Sequence, residues 1–182
     1  MKLSITLFQS LLILIMVTAC SIDSAKRIPL GHDLAPLTLA TDERADIKLD
    51  APVWLWDERL RYRLLYNNPT AVRHYHWDRW QAPLPALLEQ RWRGLGESGL
   101  SLHIELRRFE QRFETADRSH VIMTIRIQAR DRHGRRTQRI FDWRQPTTTP
   151  DAAGAIAAYM VLLERAERDI EDWLRHRDSE AL

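Results

Sequence analysis

Between Leu100 and Trp143 the chain alternates apolar and polar residues with a period of two, and no other feature limits its fold so sharply. Leu100, Leu102, Ile104 and Leu106 alternate with Ser101, His103, Glu105 and Arg107. Val121, Met123, Ile125, Ile127 and Ala129 alternate with Ile122, Thr124, Arg126, Gln128 and Arg130. Successive side chains of a strand point to opposite faces, so the pattern predicts strands with one face on a core. Asp131-Arg132-His133-Gly134 has the composition of a turn and predicts a hairpin between Val121–Arg130 and Arg136–Trp143.

Other segments fit around this unit. Leu60, Tyr62, Leu64 and Tyr66 share one face of a strand, with Arg59, Arg61 and Arg63 on the other. Shorter strands are expected at Leu37–Ala40, Ala45–Leu49 and Val53–Trp56. Leu84, Leu87, Leu88, Trp92 and Leu95 have helical spacing, closed by Gly94 and Gly96. A terminal helix opens on Thr149 as N-cap, Pro150 in its first position and Asp151 at the positive end of the dipole. Ile156, Met160, Leu163, Ile170, Trp173 and Leu174 form its apolar stripe, and Glu164–Arg168 stand at i,i+4 spacing. Strands and helices in this order predict an α+β fold, a mixed, mainly antiparallel sheet with two helices packed on one face.

The start of the chain is of a different kind. Lys2 precedes an apolar run from Leu3 to Met16, too short for the roughly 20 residues of a membrane span. Val17-Thr18-Ala19-Cys20 follows and resembles the lipobox of bacterial lipoproteins. That resemblance implies diacylglyceryl transfer to the Cys20 thiol, cleavage before it and acylation of the new amino group. Several acyl chains hold a membrane where one is marginal, each buried CH₂ contributing ~0.8 kcal/mol. Cys20 is the only cysteine, which excludes an intramolecular disulfide, and the lipid that the resemblance implies would consume the one thiol available for catalysis. Ser21 stands where Asp would retain such a protein in the inner membrane, so the outer membrane, at its periplasmic face, is the expected location. The organisation is a signal peptide over 1–19, a lipidated N-terminus and linker over 20–35 and one domain over 36–182.

With 27 basic and 25 acidic residues the charge is close to balanced, which gives nucleic-acid binding no electrostatic support. Lys2, Lys26 and Lys48 are the only lysines; the other basic residues are arginine. G-x-S-x-G, P-loop, H-E-x-x-H and G-x-G-x-x-G patterns are absent, and no enzyme activity or cofactor is expected beyond the covalent lipid on Cys20. His74 and His76 would share one face of a strand with Asp78, but two histidines fall short of a zinc site, and no metal is predicted. Glu110 and Glu114 could pair as acid and base, but charged residues at that spacing are usually a solvated surface.

The residues with most to offer a partner are aromatic and basic. Trp54, Trp56, Trp77 and Trp80 crowd one part of the sequence and are expected mainly in core or sheet-edge packing, with Trp77 and Trp80 as candidate contacts. Arg130, Arg132, His133, Arg135, Arg136 and Arg139 surround the predicted turn. Arg130, Arg132, Arg135 and Arg136 are the candidates to meet lipid phosphates or an acidic partner.

Three stretches carry a family resemblance. The first runs from Ala51-Pro52-Val53-Trp54-Leu55-Trp56 through Arg61-Tyr62-Arg63 to Tyr75 and Arg79-Trp80-Gln81-Ala82-Pro83. The second is Leu106-Arg107-Arg108-Phe109-Glu110-Gln111-Arg112-Phe113, and the third Thr149-Pro150-Asp151-Ala152 with Trp173-Leu174. In order and spacing they resemble the ABC-type transport auxiliary lipoproteins of PqiC type, with Gln81 interrupting the commoner R-W-A. The resemblance implies a non-catalytic component of an intermembrane lipid transport system. Its partners would be an MCE-domain protein, the associated ABC permease and ATPase, the outer-membrane bilayer, and further copies of the chain, in a ring. An assembly or envelope-integrity lipoprotein that binds lipopolysaccharide or a β-barrel is the alternative, followed by a small solute-binding lipoprotein.

Overall fold

A computed structural model describes residues 28–34 and 44–176. Cys20, the signal segment and the strand expected at Leu37–Ala40 lie outside the described residues. The spine of the fold is β5 (Ser101–Phe113), which pairs antiparallel along its whole length with β6 (Ser119–Arg130). β6 pairs in the same sense with β7 (Arg136–Pro146). On its other edge β5 takes two parallel strands end to end, β2 (Asp46–Asp50) along its first half and β3 (Arg59–Leu64) along its second. β4 (Asn68–Trp80) runs antiparallel to β3, and β1 (Leu30–His32) closes that edge in parallel with β4. The result is a seven-stranded mixed sheet in the order β1-β4-β3-β5-β6-β7, with β2 beside β5.

Helices α1 (Leu84–Trp92) and α2 (Ala152–His176) complete the α+β architecture. Leu102, Ile104 and Leu106 of β5 and the odd-numbered residues Val121–Ala129 of β6 form one buried cluster with Leu88 and Trp92 of α1 and Leu163, Ala166 and Ile170 of α2. The helices are tied together. Arg91 donates to Glu167 at 2.5 Å and to the Leu34 carbonyl at 2.6 Å, and Glu171 accepts the Gly96 N–H at 2.9 Å. Arg107 and Arg108 interrupt the alternation of β5 with a bulge, after which the odd residues Phe109 and Gln111 face inward. Phe109 stacks on Tyr159 with centroids 4.1 Å apart, and Trp80 meets both rings edge-on.

Four local expectations are corrected. Val53–Leu55 is a 3₁₀ turn: Pro52, with φ held at −57° by its ring and ψ at 145°, stands just before it, and its carbonyl accepts the Leu55 N–H at 2.8 Å. β4 extends well beyond the short His74–Asp78 stretch that read as a strand; it lies next to the sheet edge, so its exposed residues follow no simple alternation. Tyr66 falls in the turn after β3. At the start of α2 Asp151, not Thr149, provides the cap: its Oδ1 accepts the Gly154 N–H at 2.8 Å and the Thr149 hydroxyl at 2.7 Å. The buried stripe of α2 holds Leu163, Ile170, Trp173 and Leu174 as expected and adds Ala155, Ala158, Tyr159 and Leu162, while Ile156 and Met160 pack only against its edge.

Candidate functional site

The hairpin between β6 and β7 forms as its sequence predicts. Gly134 adopts φ +82° and donates its N–H to the Asp131 carbonyl at 3.0 Å. The Asp131 carboxylate organises the turn, accepting the N–H groups of His133 at 2.8 Å and Arg135 at 3.0 Å and the Arg135 guanidinium at 2.8 Å. Those contacts, that of the Arg135 side chain first, hold the Asp131 carboxyl below the usual carboxylate range. Arg130, Arg132, Arg135 and Arg136 are all exposed around it.

Tryptophan divides differently from expectation. Trp80 is 1 % exposed and packs edge-on against the stacked rings of Phe109 and Tyr159, so it belongs to the core and offers no surface to a partner. Trp77 is 42 % exposed at the sheet edge against the His76 ring. Trp54 and Trp56, expected mainly in packing, are also exposed, because the 3₁₀ turn buries only Leu55. The exposed aromatic surface therefore comes from the β2–β3 connection and from β4.

The histidines and acids of interest are engaged separately. Asp78 Oδ1 lies 2.9 Å from His32 Nε2 across the β1–β4 pair. Burial, with Arg59 and Arg61 nearby, pushes the His74 imidazole below the usual histidine range. Glu110, buried on the sheet face turned away from the helices, accepts from Arg63 and Arg112 at 2.8 Å each. Glu114 instead meets His120 at 2.8 Å and Arg144. These carboxylates act as ionic staples between strands rather than as a facing acid and base. The pairing continues down the sheet, with Glu105 between Arg107 and Arg126 and with Arg108 on Asp142. Sequence reasoning missed this network, although strict alternation with charge on the polar face was its signal.

Two open clefts lie near the hairpin end of the molecule. One, of about 310 Å³, runs between β7 and the end of α2; in it Arg139 stands 5.1 Å over the Phe141 ring, beside Asp169 and Trp173. The second, of about 460 Å³, is walled by Arg44, Arg130 and Arg132 together with Asp46, Asp131 and Ser101. The first presents charge and ring faces and the second charge alone. Among the described residues no group of three His, Cys, Asp or Glu is placed to hold a metal ion, and no helix is long and apolar enough to cross a membrane.

The chain shares its fold with a DUF330 protein. The crystal structure of protein XCC0632 from Xanthomonas campestris, of family DUF330, superposes with a TM-score of 0.62 at 18 % identity, covering 84 % of this chain and 98 % of that one. A second crystal structure, of an uncharacterized protein, gives a TM-score of 0.62 at 12 % identity over 82 % of this chain and 98 % of its own. At these identities the likeness is one of fold. No sequence-family model and no curated protein matches the chain.

Proposed function

We propose that this chain is a non-catalytic lipoprotein component of an MCE/ABC-type intermembrane lipid transport system, anchored through Cys20 at the periplasmic face of the outer membrane. The observation that carries the reading is the fold shared with the DUF330 structure over 98 % of its length; DUF330 includes the PqiC-type auxiliary lipoproteins. The lipobox-like segment ending at Cys20 supports the same reading from the sequence.

The physical task suits such a part. Lipid tails do not cross water unaided, so transport between two membranes needs an apolar route shielded from the periplasm. A domain tethered to one membrane serves by holding the end of that route in place, with ATP hydrolysed elsewhere. The chain would self-associate and meet the MCE protein through its exposed residues. Trp54, Trp56 and Trp77 are the first to examine, since interface energy concentrates in Trp and Arg and truncating a hot spot costs ~2 kcal/mol or more.

Crosslinking in native envelopes followed by mass spectrometry of the partners tests the reading. An MCE protein should be recovered with the wild-type chain and lost when Cys20→Ala releases or mislocalises it. Recovery of a β-barrel assembly factor or of lipopolysaccharide, with no MCE protein at any expression level, would replace the reading with that of an envelope-assembly lipoprotein.

A further inference from the structure

Over most of the sheet face turned away from the helices the arginines are neutralised. Arg63 and Arg112 share Glu110, Arg126 meets Glu105, Arg108 meets Asp142 and Arg144 meets Glu114. At the hairpin end the rule breaks. Arg130 and Arg136 are direct cross-strand partners, and like charges set opposite each other repel. On its other side Arg130 faces Ser101, and Ser101 faces Asp46. Asp46 is therefore two strands from Arg130, about 10 Å at ordinary strand spacing. Asp131, the adjacent acid, is already held by Arg135 and two backbone N–H groups.

Arg130 lines the 460 Å³ cleft together with Arg44 and Arg132; Ser101 lies in its wall, as do the carboxylates of Asp46 and Asp131, so three guanidinium groups face two acids there. The Arg132 side chain rests against Gly99, whose φ is +86°; a Cβ there would stand 3.5 Å from Arg132 Nε. Among the described residues none of the three guanidinium groups has a carboxylate within ion-pair distance. The arginines along one face are paired, and among the described residues the three gathered at this cleft are not, which departs from the pattern of that face. Such breaks mark functional sites.

We infer that this cleft binds a phosphate-bearing anion. Guanidinium forks match phosphate oxygens two at a time, and a hydroxyl such as that of Ser101 adds a further donor. Bound phosphate would also relieve the Arg130–Arg136 repulsion. The inference rests on the lipid-transport reading only for the phosphate's source, which that reading makes a phospholipid headgroup; soluble phosphate is the other source of the same chemistry.

The test uses the full lipidated chain in nonionic detergent, with native mass spectrometry counting bound phosphatidylglycerol, phosphatidylcholine or inorganic phosphate. Phosphatidylglycerol should bind, and Arg130→Ala/Arg132→Ala should weaken it about tenfold or more, as expected from losing charge-assisted bonds. Arg44→Ala should weaken it less, and Arg118→Ala, at the opposite end of the sheet, should leave it unchanged. Inorganic phosphate bound at the same arginines while phosphatidylglycerol is refused would assign the cleft to a soluble anion. Absence of both, or binding undiminished in the double variant, overturns the inference. The failures separate: headgroup binding without an MCE crosslink removes the transport reading alone, and the converse removes the cleft alone.

Discussion

His120 lies 5 % exposed on the polar face of β6, within 2.8 Å of Glu114 and close to Arg112 and Arg144. Burial first, and Arg144 after it, hold its imidazole below the usual histidine range despite the glutamate. His74 is lowered in the same way, by burial and by Arg59 and Arg61. An unfolded histidine takes up its proton near pH ~6.5, whereas these take it up only at lower pH. The unfolded state therefore binds more protons in that window, and stability is lost as pH falls from about 7 through the depressed folded values. Melting temperature should decline from pH 7 toward 5, and His120→Gln should flatten the decline. An unchanged pH slope in that variant would mean that the His120 ring is solvated. The same residue shows what a single sequence can hide: alternation places His120 on the polar face, yet that face is buried there, with Ile122 and Thr124 beside it.

At the scale of elements, the start of α2 carries two opposed expectations for one substitution. Helix propensity alone ranks Ala above Gly by about 1 kcal/mol, so Gly154→Ala would stabilise a bare helix. In the folded chain a Cβ at Gly154 would lie 2.1 Å from the Thr149 carbonyl oxygen and 2.9 Å from its carbon, backbone atoms that cannot step aside while Asp151 holds the turn. Gly154→Ala should therefore destabilise by roughly 2 kcal/mol or more, and Asp151→Ala by about 1 kcal/mol through the lost cap, both read from urea unfolding. A stabilised Gly154→Ala would show that the Thr149–Asp151 turn is loose. This contact also explains why Thr149-Pro150-Asp151 could be read as a helix start without showing which residue caps it. β5, β6 and β7 were legible because apolar residues alternate with polar ones along each, even where, as in the first half of β6, both faces are buried. β4 was not, since it lies next to the edge and its buried Trp80 follows a run of half-exposed residues. Trp77 and Trp80 look alike in sequence; which of them faces solvent depends on where Phe109 and Tyr159 arrive.

Among the described residues one buried cluster includes both helices and residues from β2 through β7, and none of these elements holds a core of its own. Trp173 shows how the parts depend on each other. It is 5 % exposed near the end of α2 and meets the Phe141 ring edge-on at 5.8 Å, while Phe141 stacks on Trp143 at 5.0 Å. Trp143 in turn donates its indole N–H to Asp169 of α2 at 2.7 Å. Removing the Trp173 ring leaves a cavity between sheet and helix and unseats that contact, so Trp173→Ala should cost about 3–5 kcal/mol. Because the core is continuous, the loss should appear everywhere at once. Residues 26–182, expressed without the lipid anchor, should unfold in a single transition, with far-ultraviolet dichroism and tryptophan fluorescence giving the same midpoint before and after the substitution. Separate midpoints for helix and tryptophan signals would mean that α2 can leave the sheet without unfolding it, and a loss of only a few tenths of a kcal/mol would place Trp173 in solvent.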